Sequence, residues 1–216
     1  MIDLPQAKHI LEVACGTGRL LPLAMNIKGK ECTYLASDIS EAMIGLCRNN
    51  LMRNLEKMGS SYDLEQWMEK VRLNLRVANG EEKIEAPYKF DRIIANLVLH
   101  LTEDPIKMMK NFYSMAEEGC LLAVSVTGSE DLVDFNRFKR SSMQEKGDMH
   151  MRKTRSSSYL SPRLQELGEA SGWVLVQEWT QNTAMVWKEV DEGLIAFLNF
   201  LSLGDQQVVD FMRKKV

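Results

Sequence analysis

The chain has 216 residues, enough for one large domain with a substantial buried core. With 45% hydrophobic and 26% charged residues and a net charge of −3, it has the composition of a soluble globular protein. Acids and bases interleave, so no global field recruits nucleic acid or an anionic membrane surface, and no apolar run approaches the roughly eighteen residues of a membrane span. Cysteines 15, 32, 47 and 120 show no C-x-x-C spacing, and three histidines complete no familiar zinc set with them. Asp3, Lys8 and His9 interrupt the N-terminus, which does not read as a signal peptide. The expectation is a reduced, metal-free, cytoplasmic protein without a membrane partner. No internal repeat or low-complexity segment is visible.

The first strong pattern is Ile10-Leu-Glu12-Val-Ala14-Cys-Gly16-Thr-Gly18, an apolar run closed by a glycine-rich turn, with a helical pattern over residues 19–25. That order reads as strand, tight loop and helix, and glycine at 16 and 18 lets backbone approach a ligand closely. Twenty residues beyond Gly18 a second apolar strand, 33–38, ends in Asp38, the position from which an acid binds the two ribose hydroxyls of an adenosine. A dinucleotide loop would carry its third glycine at 21, where this chain has Leu21, and Glu12 is expected at the mouth, where it disfavours pyrophosphate. A ligand with an adenosine at one end and a sulfonium and an ammonium at the other suits these residues better. S-adenosylmethionine is such a ligand.

Glu12-Val-Ala-Cys-Gly-Thr-Gly18 resembles the first motif of class I S-adenosylmethionine-dependent methyltransferases, and Asp38-Ile-Ser-Glu-Ala-Met43 resembles their second motif as found in the small-molecule branch. The family's first glycine is Ala14 here, a departure that a strand-end alanine is expected to accommodate. The resemblance implies an α/β fold: a doubly wound, seven-stranded Rossmann-like sheet whose last strand is antiparallel. It also implies S-adenosylmethionine as cofactor, with Glu12, Gly16 and Gly18 at its methionine portion, Asp38 at the ribose, Ile39, Asn79 and Gly80 at the adenine, and Ala14 and Met43 also among the cofactor-binding residues. Residues 1–8 are short for what precedes the first strand in this family, which suggests a truncated form or another segment closing the pocket.

Ser40 caps a helix reaching about Lys57, with Met43, Ile44, Cys47, Leu51 and Leu55 on its inner face. Residues 59–61 break it, 62–70 read as a short extra helix, and 71–77 as the third strand. Asn79 and Gly80 follow; in the family an acid or Asn here reaches the adenine, while the Asn-Gly dipeptide equally favours a plain turn. The fourth strand is 90–96, with Asn96 toward the reaction side. Asp104-Pro105 opens a helix through about Met115, Gly119 ends it, and 120–126 is the fifth strand. Residues 160–171 form a further helix, 173–178 a sixth strand and 184–187 a seventh.

Residues 1–190 thus form the methyltransferase domain. Within it, 128–158 read as a lid insertion, longer than a plain connection requires. Residues 191–216 form a C-terminal helical appendage whose apolar faces need a partner, on this chain's own core or through a homo- or heterodimer.

In-line methyl transfer needs proximity, and a base where the acceptor must lose a proton. His100, four residues past Asn96, is the catalytic candidate; it also reads as a packing histidine. The Leu97-Val-Leu99 that follows Asn96 differs from the Pro-Pro-aromatic motif of exocyclic base methylases, and no cysteine follows a proline as in cytosine-C5 enzymes. A small-molecule acceptor is expected. Two alternatives stay open: a non-catalytic cofactor-binding partner of another methyltransferase, and a protein or RNA methyltransferase suggested by the basic residues of the 130s to 150s.

Overall fold

The computed structural model describes residues 2–126 and 161–178; those up to Val176 belong to one of the two compact units into which the chain divides. Five parallel strands form the sheet: β1 (His9–Val13), β2 (Thr33–Asp38), β3 (Leu73–Val77), β4 (Phe90–Asn96) and β5 (Ala116–Ser125), in the order β3-β2-β1-β4-β5. The chain winds from β1 outward to β3, then crosses back to begin β4 on the other side of β1. That reversal opens a crevice at the carboxyl ends of β1 and β4, where open α/β sheets bind ligands.

Both faces of the sheet are covered, which is why its strands read as apolar runs. On one face Ile10, Tyr34, Ala36 and Leu73 pack against α1 (Leu21–Ile27), α2 (Glu41–Lys57) and α3 (Leu64–Lys70). On the other, Leu11, Val13, Leu35, Ile93 and Ala95 meet Met108, Met109, Phe112 and Met115 of α4 (Pro105–Met115) and Leu167 of α5 (Ser161–Glu169). In α2 the spacing of Ile44, Cys47, Leu51 and Leu55 buries one stripe, and Ser40 accepts the Met43 N–H at its start. Met43, predicted on that stripe, is instead partly exposed at the first turn. At the amino edge of the sheet Asp91 is buried and accepts the backbone N–H groups of Lys8 and His9, fixing where β1 begins.

Three expectations are corrected. The fourth helix stops at Met115 as expected, but β5 starts at once, at Ala116 and not at 120. A wide bulge follows, in which Asp91 alone of β4 faces residues 117–120 of β5, with Gly119 at φ +80° inside it. Residues 173–178 form no strand. Gly172 at φ +90° ends the turn after α5, and Trp173 docks on α4 by donating its indole N–H to the Met109 carbonyl at 3.1 Å. The apolar residues beyond it are left in solvent, Val174 at 84% exposure. The described sheet is therefore five-stranded and all parallel; the seventh strand, the lid and the C-terminal appendage lie outside the described residues.

The third correction concerns Ala14. It does not continue the strand but sits at φ +57°, in the left-handed region. That conformation costs an L-residue about 1–2 kcal/mol, more than the roughly 0.5–1 kcal/mol by which glycine's flexibility favours unfolding. Ala14→Gly is therefore expected to stabilise the protein by up to about 1 kcal/mol. Gly16→Ala, at φ +53° with no atom within 4 Å of an added Cβ, is the mirror experiment and should destabilise without a clash. Denaturant midpoints at unchanged slope measure both; a less stable Ala14→Gly protein contradicts the strain.

Candidate functional site

The register of the sheet assembles the site. Val13 lies level with Ser37 on one side and Ala95 on the other, so the next residues, Ala14, Asp38 and Asn96, share one row, extended by Val77 beside Asp38 and Ser125 beside Asn96. This row is the carboxyl edge of the sheet, and the glycine loop rises from its middle.

Asp38 organises the loop. Its Oδ2 accepts the Gly16 N–H at 2.9 Å and its Oδ1 accepts the Ser40 N–H at 2.9 Å. The loop is further tied by the Cys15 N–H to the Ser37 carbonyl and by the Asn50 side-chain amide to the Thr17 carbonyl, at 2.9 and 3.0 Å. Gly18, at φ +75°, sits where an added Cβ would lie 2.5 Å from Cys47 Sγ, so the loop rests directly on α2. A carboxylate has about four acceptor positions and Asp38 uses two, which leaves capacity for a pair of hydroxyls. Beside it Ile39 is 68% exposed, and Met43 and Val77 are also exposed, giving a flat apolar patch adjoining the acid.

Glu12 is not at the mouth. Residue 12 shares the strand face of Ile10, so its side chain turns beneath the loop into the layer of α1 and α2, where it is 2% exposed and accepts the Tyr34 hydroxyl at 2.8 Å. Burial raises its pKa from 4.5 to about 7, against the lowering effect of the Tyr34 bond. The same setting holds Cys15 well above the ordinary thiol range, through its hydrogen bond with Cys47, burial and the nearby Glu12 carboxylate.

The remaining candidates divide. Asn79 makes the turn: its Oδ1 accepts the Glu81 N–H at 3.0 Å. Gly80 is a packing glycine, since a Cβ there would lie 2.5 Å from Val13 and 2.8 Å from Met108. Asn96 is exposed at the end of β4, and His100 lies in a 3-10 turn, Leu99–Leu101, just past it. Tyr34, Cys47 and Ser125 were missed; a polar-tipped aromatic inside an apolar strand was the available signal for Tyr34. Two open clefts of about 320 and 460 Å³ occupy the opposite, amino-terminal edge, one beside Tyr88 and Phe90, the other beside His9 and Cys32, away from these residues. Among the described residues no three His, Cys, Asp or Glu side chains group as metal ligands, and no helix is long and apolar enough to cross a membrane.

Residues 2–178 match the family described as methyltransferase domain. The chain belongs to the S-adenosylmethionine-dependent methyltransferases. A polyketide synthase-nonribosomal peptide synthetase of Aspergillus clavatus is 28% identical over 130 residues, which are 57% of this chain but 3% of that protein. Among solved structures, a Bacillus halodurans protein assigned as a methyltransferase superposes with a TM-score of 0.54 at 14% identity, covering 79% of this chain and 64% of its own. An S-adenosylmethionine-dependent methyltransferase of Aquifex aeolicus gives 0.50 at 17% identity, covering 76% and 71%. At these identities the structural likeness speaks for the fold. The residues at the carboxyl edge fit the family's cofactor: an open glycine loop, an acid with spare acceptor positions and an apolar patch beside it.

The raised pKa of Glu12 has a measurable consequence. A carboxyl that holds its proton more tightly when folded contributes most to stability below the unfolded value, and that contribution is lost as pH rises from 4.5 to about 7. Glu12→Gln keeps an acceptor for Tyr34 and has no proton to lose. We expect it to match the wild type near pH 4.5 and to be more stable at about pH 8 by up to about 3 kcal/mol. Urea unfolding at the two pH values tests this; equal stabilities at the higher pH would show that Glu12 ionises freely.

Proposed function

We propose that this methyltransferase transfers a methyl group from S-adenosylmethionine to a small-molecule acceptor. The observation that carries the reading is Asp38, a carboxylate at the carboxyl edge of β2 that fixes Gly16 and keeps acceptor positions for a ribose. Ile39 and Met43 offer the adenine an exposed apolar surface, and the turn at Asn79 and Gly80 walls it. Ala14, Gly16 and Gly18 bring the backbone of the loop to the methionine portion, while Glu12 supports that loop from below. Bound there, S-adenosylmethionine supplies an electrophilic methyl carbon. The chain's own contribution is to align an acceptor opposite the sulfur, and His100, just beyond β4, is the candidate base for an acceptor that must lose a proton. A small acceptor is supported by the similarity to a polyketide synthase-nonribosomal peptide synthetase, whose name is that of an enzyme building small molecules.

Titration calorimetry tests the cofactor half of this reading. The wild type should bind S-adenosylmethionine, and Asp38→Ala should weaken binding by about 1.5–3 kcal/mol, since it removes charge-assisted bonds to the ribose and releases Gly16. His100→Ala should leave that affinity unchanged. A wild type that gives no heat with S-adenosylmethionine, or that binds NAD more tightly, would end the proposal.

A further inference from the structure

Ser125, the last residue of β5, is paired with Asn96 across the row. Its hydroxyl joins two groups at the end of β4: it accepts the Leu97 N–H at 3.1 Å, and it donates to Asn96 Oδ1. A backbone N–H can only donate, so Leu97 takes one lone pair of the hydroxyl and leaves its proton for the amide oxygen. With its oxygen assigned toward Ser125, the Asn96 amide turns its N–H₂ away from that hydroxyl. Leu97 strengthens the arrangement. It sits at φ +55° and its N–H also reaches the Ser125 carbonyl at 3.0 Å, so the chain leaves the sheet immediately after Asn96 and both residues stay exposed at the edge.

The charges of the row say what such a donor can serve. Among Val77, Asp38, Ala14, Asn96 and Ser125 the one charged side chain is Asp38, two strands away from β4. An anionic part of a ligand is repelled from Asp38 and settles on the β4–β5 side, where Asn96 is the exposed amide. Resting on the cofactor reading above, we infer that Ser125 is a positioning residue: it locks Asn96 so that the amide N–H₂ donates to the carboxylate of the cofactor's amino-acid end.

The test is calorimetry with two probes, S-adenosylhomocysteine and 5′-methylthioadenosine, which lacks the amino-acid end. Ser125→Ala should weaken the first by about 3- to 10-fold and leave the second unchanged, and Ser125→Thr, which keeps the hydroxyl, should restore it. Asn96→Asp should bind S-adenosylhomocysteine more weakly than Asn96→Ala, because carboxylate would then face carboxylate. Equal losses for both probes in Ser125→Ala, or Asn96→Asp binding as tightly as Asn96→Ala, would overturn the inference while leaving the cofactor reading intact. A wild type that binds neither probe overturns both. Asn96 is exposed, so the Asn96 pair decides the orientation even where Ser125→Ala fails to fold.

Discussion

One carboxylate holds the ligand-facing edge of this sheet together. Asp38 accepts backbone N–H groups from the glycine loop and from the start of α2, so the two elements that leave β1 and β2 are fixed by the same two oxygens. The placement is favourable twice over. A negative charge at the first turn of α2, a helix of 17 residues, meets the positive end of its dipole, and the Gly16 amide, which points away from any strand partner, finds an acceptor. A carboxylate that fixes the loop and the start of α2 at once cannot be exchanged for another polar residue without changing the loop.

Below the loop lies a second, buried layer of polar atoms: Glu12, Tyr34, Cys15 and Cys47. The contact of Gly18 on Cys47 explains why polar groups are tolerated so deep. The loop must lie low enough on α2 for its backbone to be accessible from above, and a small thiol makes that approach possible where a larger side chain would lift it. Glu12 then sits under a roof of backbone, in a setting that desolvates its charge, with the Tyr34 hydroxyl as its hydrogen-bond partner. Glu12 is therefore separated from the crevice by the loop it supports, whereas Asp38 stands at the carboxyl edge of the sheet itself.

Much of this was legible in the chain. Strands β2 and β4 have the predicted ends, because each is a run of apolar residues closed by a polar one and both are buried on two faces. Ser40 as a cap, and the stripe of Ile44, Cys47, Leu51 and Leu55, follow from local chemistry alone. What was not legible depends on neighbours. Gly119 reads as a helix stop, yet it serves a bulge required by the register of β5 against β4, a fact about pairing that β5's own sequence does not contain. Val174 and Val176 have strand-forming side chains, but Trp173 is committed to α4 and the residues after it pair with no described strand. Glu12 was correctly picked out as unusual and wrongly placed, since motif spacing gives its position along the strand and not which face it takes.

The two strands flanking the crevice share a further feature that spacing conceals. β1 is followed by Ala14 and β4 by Leu97, and both residues are left-handed although neither is glycine. Each turns the chain sharply out of the sheet where the strand order reverses, and between them they keep the crevice from being roofed by their own strands. An alanine or leucine in this conformation persists only if the surroundings hold it. At Ala14 that hold begins with the next residue, whose N–H bonds to Ser37, and with Gly16 on Asp38; at Leu97 it is the double contact of its N–H with Ser125. Strain on β1 is therefore held by β2, and strain on β4 by β5. The crevice at the centre of the sheet is kept open by the strands on its outside, which ties the shape of the site to the pairing of all four.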